Sequence, residues 1–164
     1  MTTPTRAVAG AALAALAAAA AVPALTGAQT SGAREITVRE KVRAVQFVRA
    51  KASTKGDRLA TGDRVITRQA LFDPKNARIG TLFTDCVNVG PAAALFKATL
   101  QCTTTYGFRE GQIAAAGVLR LSAGPGSRFP IVGGTGAYSS ARGEVEAVAP
   151  VKGFDSAEVL RVVG

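Results

Sequence analysis

The groups able to do chemistry in this chain are carboxylates, tyrosines and arginines, because its 164 residues include no histidine. Glu40 stands in an even row with Ile36, Val38, Val42, Ala44, Gln46 and Val48, whereas Arg39, Lys41 and Arg43 occupy the odd row. Successive side chains of a strand point to opposite faces, so an inward even row places a carboxylate among aliphatic groups. Burial there favours the protonated form, which suits an acid or a cation-stabilising group. The competing reading leaves Glu40 solvated beside Arg39 and Lys41. Phe96, Ala98, Leu100, Cys102, Tyr106 and Phe108 form a second row, the better candidate for a lining surface, and this makes Phe96 and Tyr106 candidate ligand contacts. Asp85 alternates with Ile79, Thr81, Phe83 and Val87. It is a ligand-facing candidate only if that row is the inner one.

The missing imidazole excludes serine or cysteine triads and histidine-rich metal sites. Two cysteines without histidine also leave too few ordinary ligands for zinc, so neither a metal nor a cofactor is expected. Cys86 and Cys102 instead suit one disulfide, which closes a loop of about 15 residues and adds about 3 kcal/mol by chain entropy. A pair of buried thiols is the alternative. If the two are bonded across neighbouring strands they share a side, and an inward Cys102 then turns Asp85 outward unless a bulge intervenes.

These groups need strands to hold them. Period-two alternation recurs over residues 35–48, 58–72, 78–88, 95–108, 112–121, 128–132, 138–149 and 157–163, with turn residues such as Gly90-Pro91 and Gly124-Pro125-Gly126 between several of them. About eight such strands predict an all-β fold. A closed antiparallel β-barrel of calycin-like form removes the exposed sheet edges, and a β-sandwich is the runner-up.

Ahead of the strands, Arg6 precedes an alanine-rich apolar run to Leu25, with small residues offering cleavage near Ala24 or Ala28. This is the pattern of a signal peptide over residues 1–28, and it predicts a secreted protein with one domain over residues 29–164. A retained membrane anchor is the alternative, disfavoured by the alanine content and Pro23. Removing Arg6 takes the formal charge from +9 to +8, so an anionic cell-envelope surface is a possible partner. The arginines are dispersed and no basic-aromatic motif occurs, so nucleic acid is not an expected partner.

The stretch from Phe129 to Gly143 contains Gly133, Gly134 and Gly136, followed by Tyr138 and Ala141-Arg142-Gly143. Together with Gly56-Asp57-Arg58-Leu59, Gly80, Asp85-Cys86, Cys102-Thr103-Thr104, Gly111-Gln112-Ile113 and Gly117, it resembles the allene oxide cyclase and dirigent proteins, over roughly the last two thirds of the chain. A dinucleotide-binding loop is excluded by context, since Ser139 stands at the third glycine position and a strand pattern follows instead of a helix. The resemblance implies a small antiparallel barrel that steers reactive organic molecules, an inward glutamate on an early strand, and an arginine in the pocket at Arg142. It also implies a homo-oligomer, often a trimer. Glu40 and Arg142 are accordingly the catalytic candidates. Tyr138, beside the glycine turn, either donates a hydrogen bond to a ligand or packs as a lid. Ala137 stands where plant dirigent proteins often carry aspartate, a departure from the plant type.

Two function classes follow. The first is a cofactor-free cyclase, isomerase or stereochemical guide acting on a small hydrophobic molecule. The second is a non-catalytic secreted binding or structural barrel that contacts the cell envelope. Lumen volume separates them: catalysis on such a molecule needs about 300 Å3 or more with converging polar groups.

Overall fold

The computed structural model describes residues 32–50, 56 and 58–164. The expected signal segment, residues 1–28, lies outside the described residues. Ten strands are present among those described: β1 Arg34–Val48, β2 Arg58–Leu59, β3 Arg64–Phe72, β4 Arg78–Asn88, β5 Ala93–Ala94, β6 Leu100–Phe108, β7 Gly111–Leu119, β8 Arg128–Gly136, β9 Arg142–Val148 and β10 Ser156–Val163. Eight of them close into an antiparallel barrel in the order β1-β10-β9-β8-β7-β6-β4-β3, and β2 pairs with β5 as a separate ribbon. The all-β closed barrel expected from alternation is therefore the observed fold.

Alternation builds the inner wall. Val38, Leu71, Leu82, Tyr106, Ile113, Ile131, Val145 and Leu160 are buried in one apolar cluster, and Leu59, Val65, Cys86, Leu100 and Cys102 in a second. Burying each large apolar side chain stabilises the fold by about 1.5–3 kcal/mol. Cys86 and Cys102 face each other across β4 and β6 and are disulfide-bonded. The bond sits on the inner wall, so Asp85, one residue before Cys86, points outward.

Four local expectations change. First, the run 58–72 is broken by a turn in which the buried Asp63 carboxylate accepts the backbone N–H of Ala50 at 2.8 Å and of Ala60 at 3.0 Å. A buried carboxylate needs such donors, and a straight strand offers none to a side chain. Second, Leu95–Lys97 is a 3-10 turn, which takes Phe96 off the β6 row and leaves it 67% exposed.

Third, the glycine segment carries β8 through to Gly136, and the reversal falls on residues 137–140. Gly134 is required there because a Cβ would lie 2.3 Å from the Tyr138 carbonyl oxygen and 2.5 Å from that of Gln112. Gly136 turns the chain at φ 60°.

Fourth, β1 is bulged between Val42 and Ala44 where it pairs with β3. One extra residue reverses the face of everything after it, so the even row faces inward for Val38 and Glu40 but not as far as Val48. Val42 is 40% exposed. Beyond Glu40, β1 pairs with β3 alone, because Glu40↔Ser156 is the last rung of its ladder with β10. Asp155 braces that point by accepting the Val42 N–H at 2.7 Å.

Candidate functional site

A cavity of about 200 Å3 lies within the barrel wall, bounded by Leu82 from the first apolar cluster and by Cys102 and Leu119 from the second. Gly117 and Phe129 border it from β7 and β8, and a Cβ at Gly117 would meet the Phe129 Cβ at 2.8 Å. The alanine-rich strand opens this space through its glycine, since Ala115 is fully buried in the core. The volume is smaller than the 300 Å3 expected of a catalytic lumen, and slightly larger than a cavity that accommodates benzene.

Two glutamates meet in this cavity. Glu40 comes from β1 and Glu158 from β10, where Glu158 pairs with Val38 and Ser156 with Glu40, so the two acids sit diagonally on the same inner face. Glu40 is 2% exposed, and its Oε2 accepts the Ser156 hydroxyl at 2.5 Å. Its Oε1 accepts from no fixed donor among the described residues, and the Glu158 carboxyl lies within hydrogen-bonding reach of the Glu40 carboxyl. The Tyr106 hydroxyl donates to Glu158 Oε2, and Tyr106 is fully buried. Gln69 brings to the cavity a second oxygen that has no donor among the described residues, and the Thr104 hydroxyl lies 3.3 Å from that of Thr84 on the same wall.

Burial is the main force on all three titrating groups. It lifts Glu158 well above the carboxylate range, and the neighbouring Glu40 charge lifts it further. Burial also raises Glu40, against hydrogen bonds with Glu158 and Ser156 that hold it down. Tyr106 is pushed well above its usual value by burial and by the Glu158 charge. Like charges this close do not both ionise readily, so the acids titrate as a pair that retains a proton.

Of the residues singled out from sequence, Glu40 and Tyr106 come together here. The others lie elsewhere. Arg142 is exposed and donates to the Ala141 carbonyl at 2.7 Å. β9 keeps regular register with both neighbours through Gly143, so no bulge separates Arg142 from the outward row of Glu144 and Glu146. Asp85 is on the outer wall, ion-paired with Arg64. Tyr138 is 6% exposed and packs against Phe108, ring centroids 5.6 Å apart, with the Arg34 guanidinium 5.8 Å from its own. Phe96 borders a depression that shares Leu119, Leu121, Ala147, Ser156 and Glu158 with the cavity, which puts it at the cavity mouth.

Glu158, Ser156 and Gln69 escaped the sequence reading. The signal for Glu158 was present: it alternates with Leu160 and Val162 in the final strand, as Glu40 does with Ile36 and Val38. Gln69 alternates likewise with Val65 and Leu71. Among the described residues no cluster of three or more cysteine or acidic side chains is arranged to hold a metal ion.

The barrel is similar to solved structures. A pyocyanin demethylase superposes with a TM-score of 0.64 at 21% identity, over 79% of this chain and 99% of that one. A Diels-Alderase from Streptomyces koyangensis gives 0.55 at 20% identity over 82% and 70%. A pterocarpan synthase dirigent protein gives 0.57 at 16% identity over 80% and 82%. At such identities the likeness speaks to fold. A comparison with curated proteins finds no match. The allene oxide cyclase barrel like domain matches residues 41–159, most of the chain, and the chain therefore belongs to that family.

Proposed function

We propose that this protein is a secreted, cofactor-independent isomerase or cyclase for a small apolar molecule, with the Glu40–Glu158 pair as its proton-handling group. The observation that carries the reading is the meeting of two buried carboxyls, one oxygen of which accepts from no fixed donor among the described residues, in a cavity walled by leucine and phenylalanine. A pair that keeps one proton is both an acid and a base. The protonated carboxyl delivers its proton to charge developing on the substrate, while the ionised one steadies positive charge or receives a proton from another atom. Composition is unchanged over the cycle, as an isomerisation requires. Ser156 and Tyr106 act as positioning residues, each fixing one carboxylate oxygen. The walls confine the substrate near its closing geometry and exclude water.

The demethylase, Diels-Alderase and dirigent neighbours support a small organic ligand as the kind of molecule to seek. The Cys86–Cys102 bond supports an oxidising compartment, in keeping with the signal pattern. The 200 Å3 volume favours a second reading, a binding barrel that returns its ligand unaltered. The test is to incubate purified protein with a lipid and metabolite extract, identify retained molecules by mass spectrometry, and repeat with Glu40→Gln and Glu158→Gln. The proposal expects a retained molecule whose isomer accumulates with wild type and not with either variant. Unaltered ligand, equal for all three proteins, establishes the binding barrel instead.

A further inference from the structure

The arginines of the outer wall divide into two groups. Arg64 is paired with Asp85, while Arg128 and Arg161 are paired with Glu144 and Glu146. Arg43, Arg68 and Arg78 have no hydrogen-bond or carboxylate partner among the described residues. These three come from adjacent strands β1, β3 and β4 and surround an outer groove of about 430 Å3. Ala70 and Thr81, directly paired across β3 and β4, form its floor, where the small Ala70 side chain leaves the hollow. Phe83, paired with Arg68, stands on the rim and is 52% exposed. The β1 bulge falls at Arg43 and sets this residue beside the groove out of register with β3.

No acidic side chain lines the groove. Acids around it are engaged or face other surfaces: Asp73 accepts the N–H groups of Lys75 and Ala77, both at 2.8 Å, Asp85 is held by Arg64, Asp155 accepts the Val42 N–H beside Arg43, Glu110 borders a different depression that Arg78 also lines, and Glu40 faces inward. Lys41 adds a further positive charge on the same outward row of β1. Three like charges around one hollow repel each other, and an anion seated between them relieves that repulsion.

We propose that this groove binds an oxyanion of phosphate-ester chemistry carrying at least two negative charges. A singly charged anion leaves most of the positive field uncompensated. A planar carboxylate offers one edge to one guanidinium fork, whereas a tetrahedral phosphate presents oxygens to several forks at once. The Thr81 hydroxyl on the floor supplies one more donor. The groove lies on the other face of β3 from the acid-lined cavity, sharing only Gln69 with it, and its arginines take no part in the proposed chemistry there.

Tripolyphosphate is the free probe, titrated calorimetrically against the full chain, and vesicles of phosphatidylcholine with or without phosphatidylglycerol are the lipid probe. The control variant Arg120→Gln/Lys152→Gln removes the same charge from exposed positions outside the groove. The expected result is one tripolyphosphate per chain, weakened at least tenfold in Arg68→Gln/Arg78→Gln and less than twofold in the control. Phosphatidylglycerol-dependent vesicle capture that needs Arg68 and Arg78 and is displaced by tripolyphosphate identifies a lipid headgroup as the source. Tripolyphosphate binding without vesicle capture identifies a soluble phosphate. Equal weakening in both double variants, or no saturable binding of either probe, overturns the proposal.

Discussion

Replacing both cavity acids, Glu40→Gln/Glu158→Gln, should change how stability depends on pH in a direction that burial dictates. Both carboxyls bind their proton more tightly in the folded barrel than in the unfolded chain, chiefly because burial penalises their charge. The folded state therefore carries more protons than the unfolded state above the ordinary carboxylate value of 4.5. Their contribution is complete below that value and is lost as pH rises through the folded pKa of the pair. While the pair keeps one proton that the unfolded chain has released, unfolding free energy falls by about 1.4 kcal/mol per pH unit. In a domain of this size that is a fall in Tm of about 4–6 °C per unit. Glutamine cannot titrate but retains the shape and an acceptor for Ser156 and Tyr106. Urea unfolding of both proteins at half-unit steps from pH 5 to 8 isolates the effect as a difference, since every other titrating group is common to them. The wild-type curve should descend relative to the variant by about one proton's worth of slope. Parallel curves would refute the argument that this pair holds a proton because it is buried.

Three further outcomes follow from the geometry. Cys86→Ser/Cys102→Ser should lower the unfolding free energy by about 3 kcal/mol, read from urea midpoints, because the closed loop restrains the unfolded chain. An unchanged midpoint contradicts that account. Tyr106→Phe removes the donor to Glu158 and should cost about 1–3 kcal/mol in thermal melts, with a change below 0.5 kcal/mol showing that the hydroxyl does not matter to the fold. Gly134→Ala forces a Cβ to within 2.3 Å of the Tyr138 carbonyl oxygen, whereas Gly32→Ala meets nothing within 4 Å. The first should destabilise by at least 2 kcal/mol and the second by less than 0.5 kcal/mol, so equal melting curves would contradict the close approach seen at the β8 turn (magnitudes of about this size are usual for backbone collisions and for open surface sites).

The barrel was legible because period two needs no tertiary information: Val38 and Glu40, or Tyr106 and Cys102, share a face in any extended strand. The departures arise where local turns or contacts from distant residues override that period. The bulge between Val42 and Ala44 is a matter of fit against β3, and no local signal in Lys41-Val42-Arg43-Ala44 announces it. Asp63 breaks its run through a local turn at Gly62, in which Ala60 supplies one donor, and through Ala50, whose N–H reaches it only in three dimensions. Phe96 was assigned to a lining row by alternation alone, which a 3-10 turn interrupts. The cavity acids were half legible. Glu40 was found by its row, while Glu158 was available by the same test in a strand placed correctly at 157–163. Their meeting was not readable, because it depends on β1 and β10 being neighbours, and closure of a barrel joins the first and last strands without leaving a mark on either.

That closure has a consequence for traffic to the interior. Glu40 occupies the last rung shared by the first and last strands, and past it one margin of β1 is unzipped, guarded by the cationic side chains of Lys41 and Arg43 against adhesion to another sheet. Terminal rungs fray at far lower free energy than whole domains unfold. Two bonds from Asp155, its carboxylate on the Val42 N–H and its own N–H on the Glu40 carbonyl, pin that point, and fraying of both admits solvent to the acid pair sideways, through the staves, while the rest of the cask stays hooped.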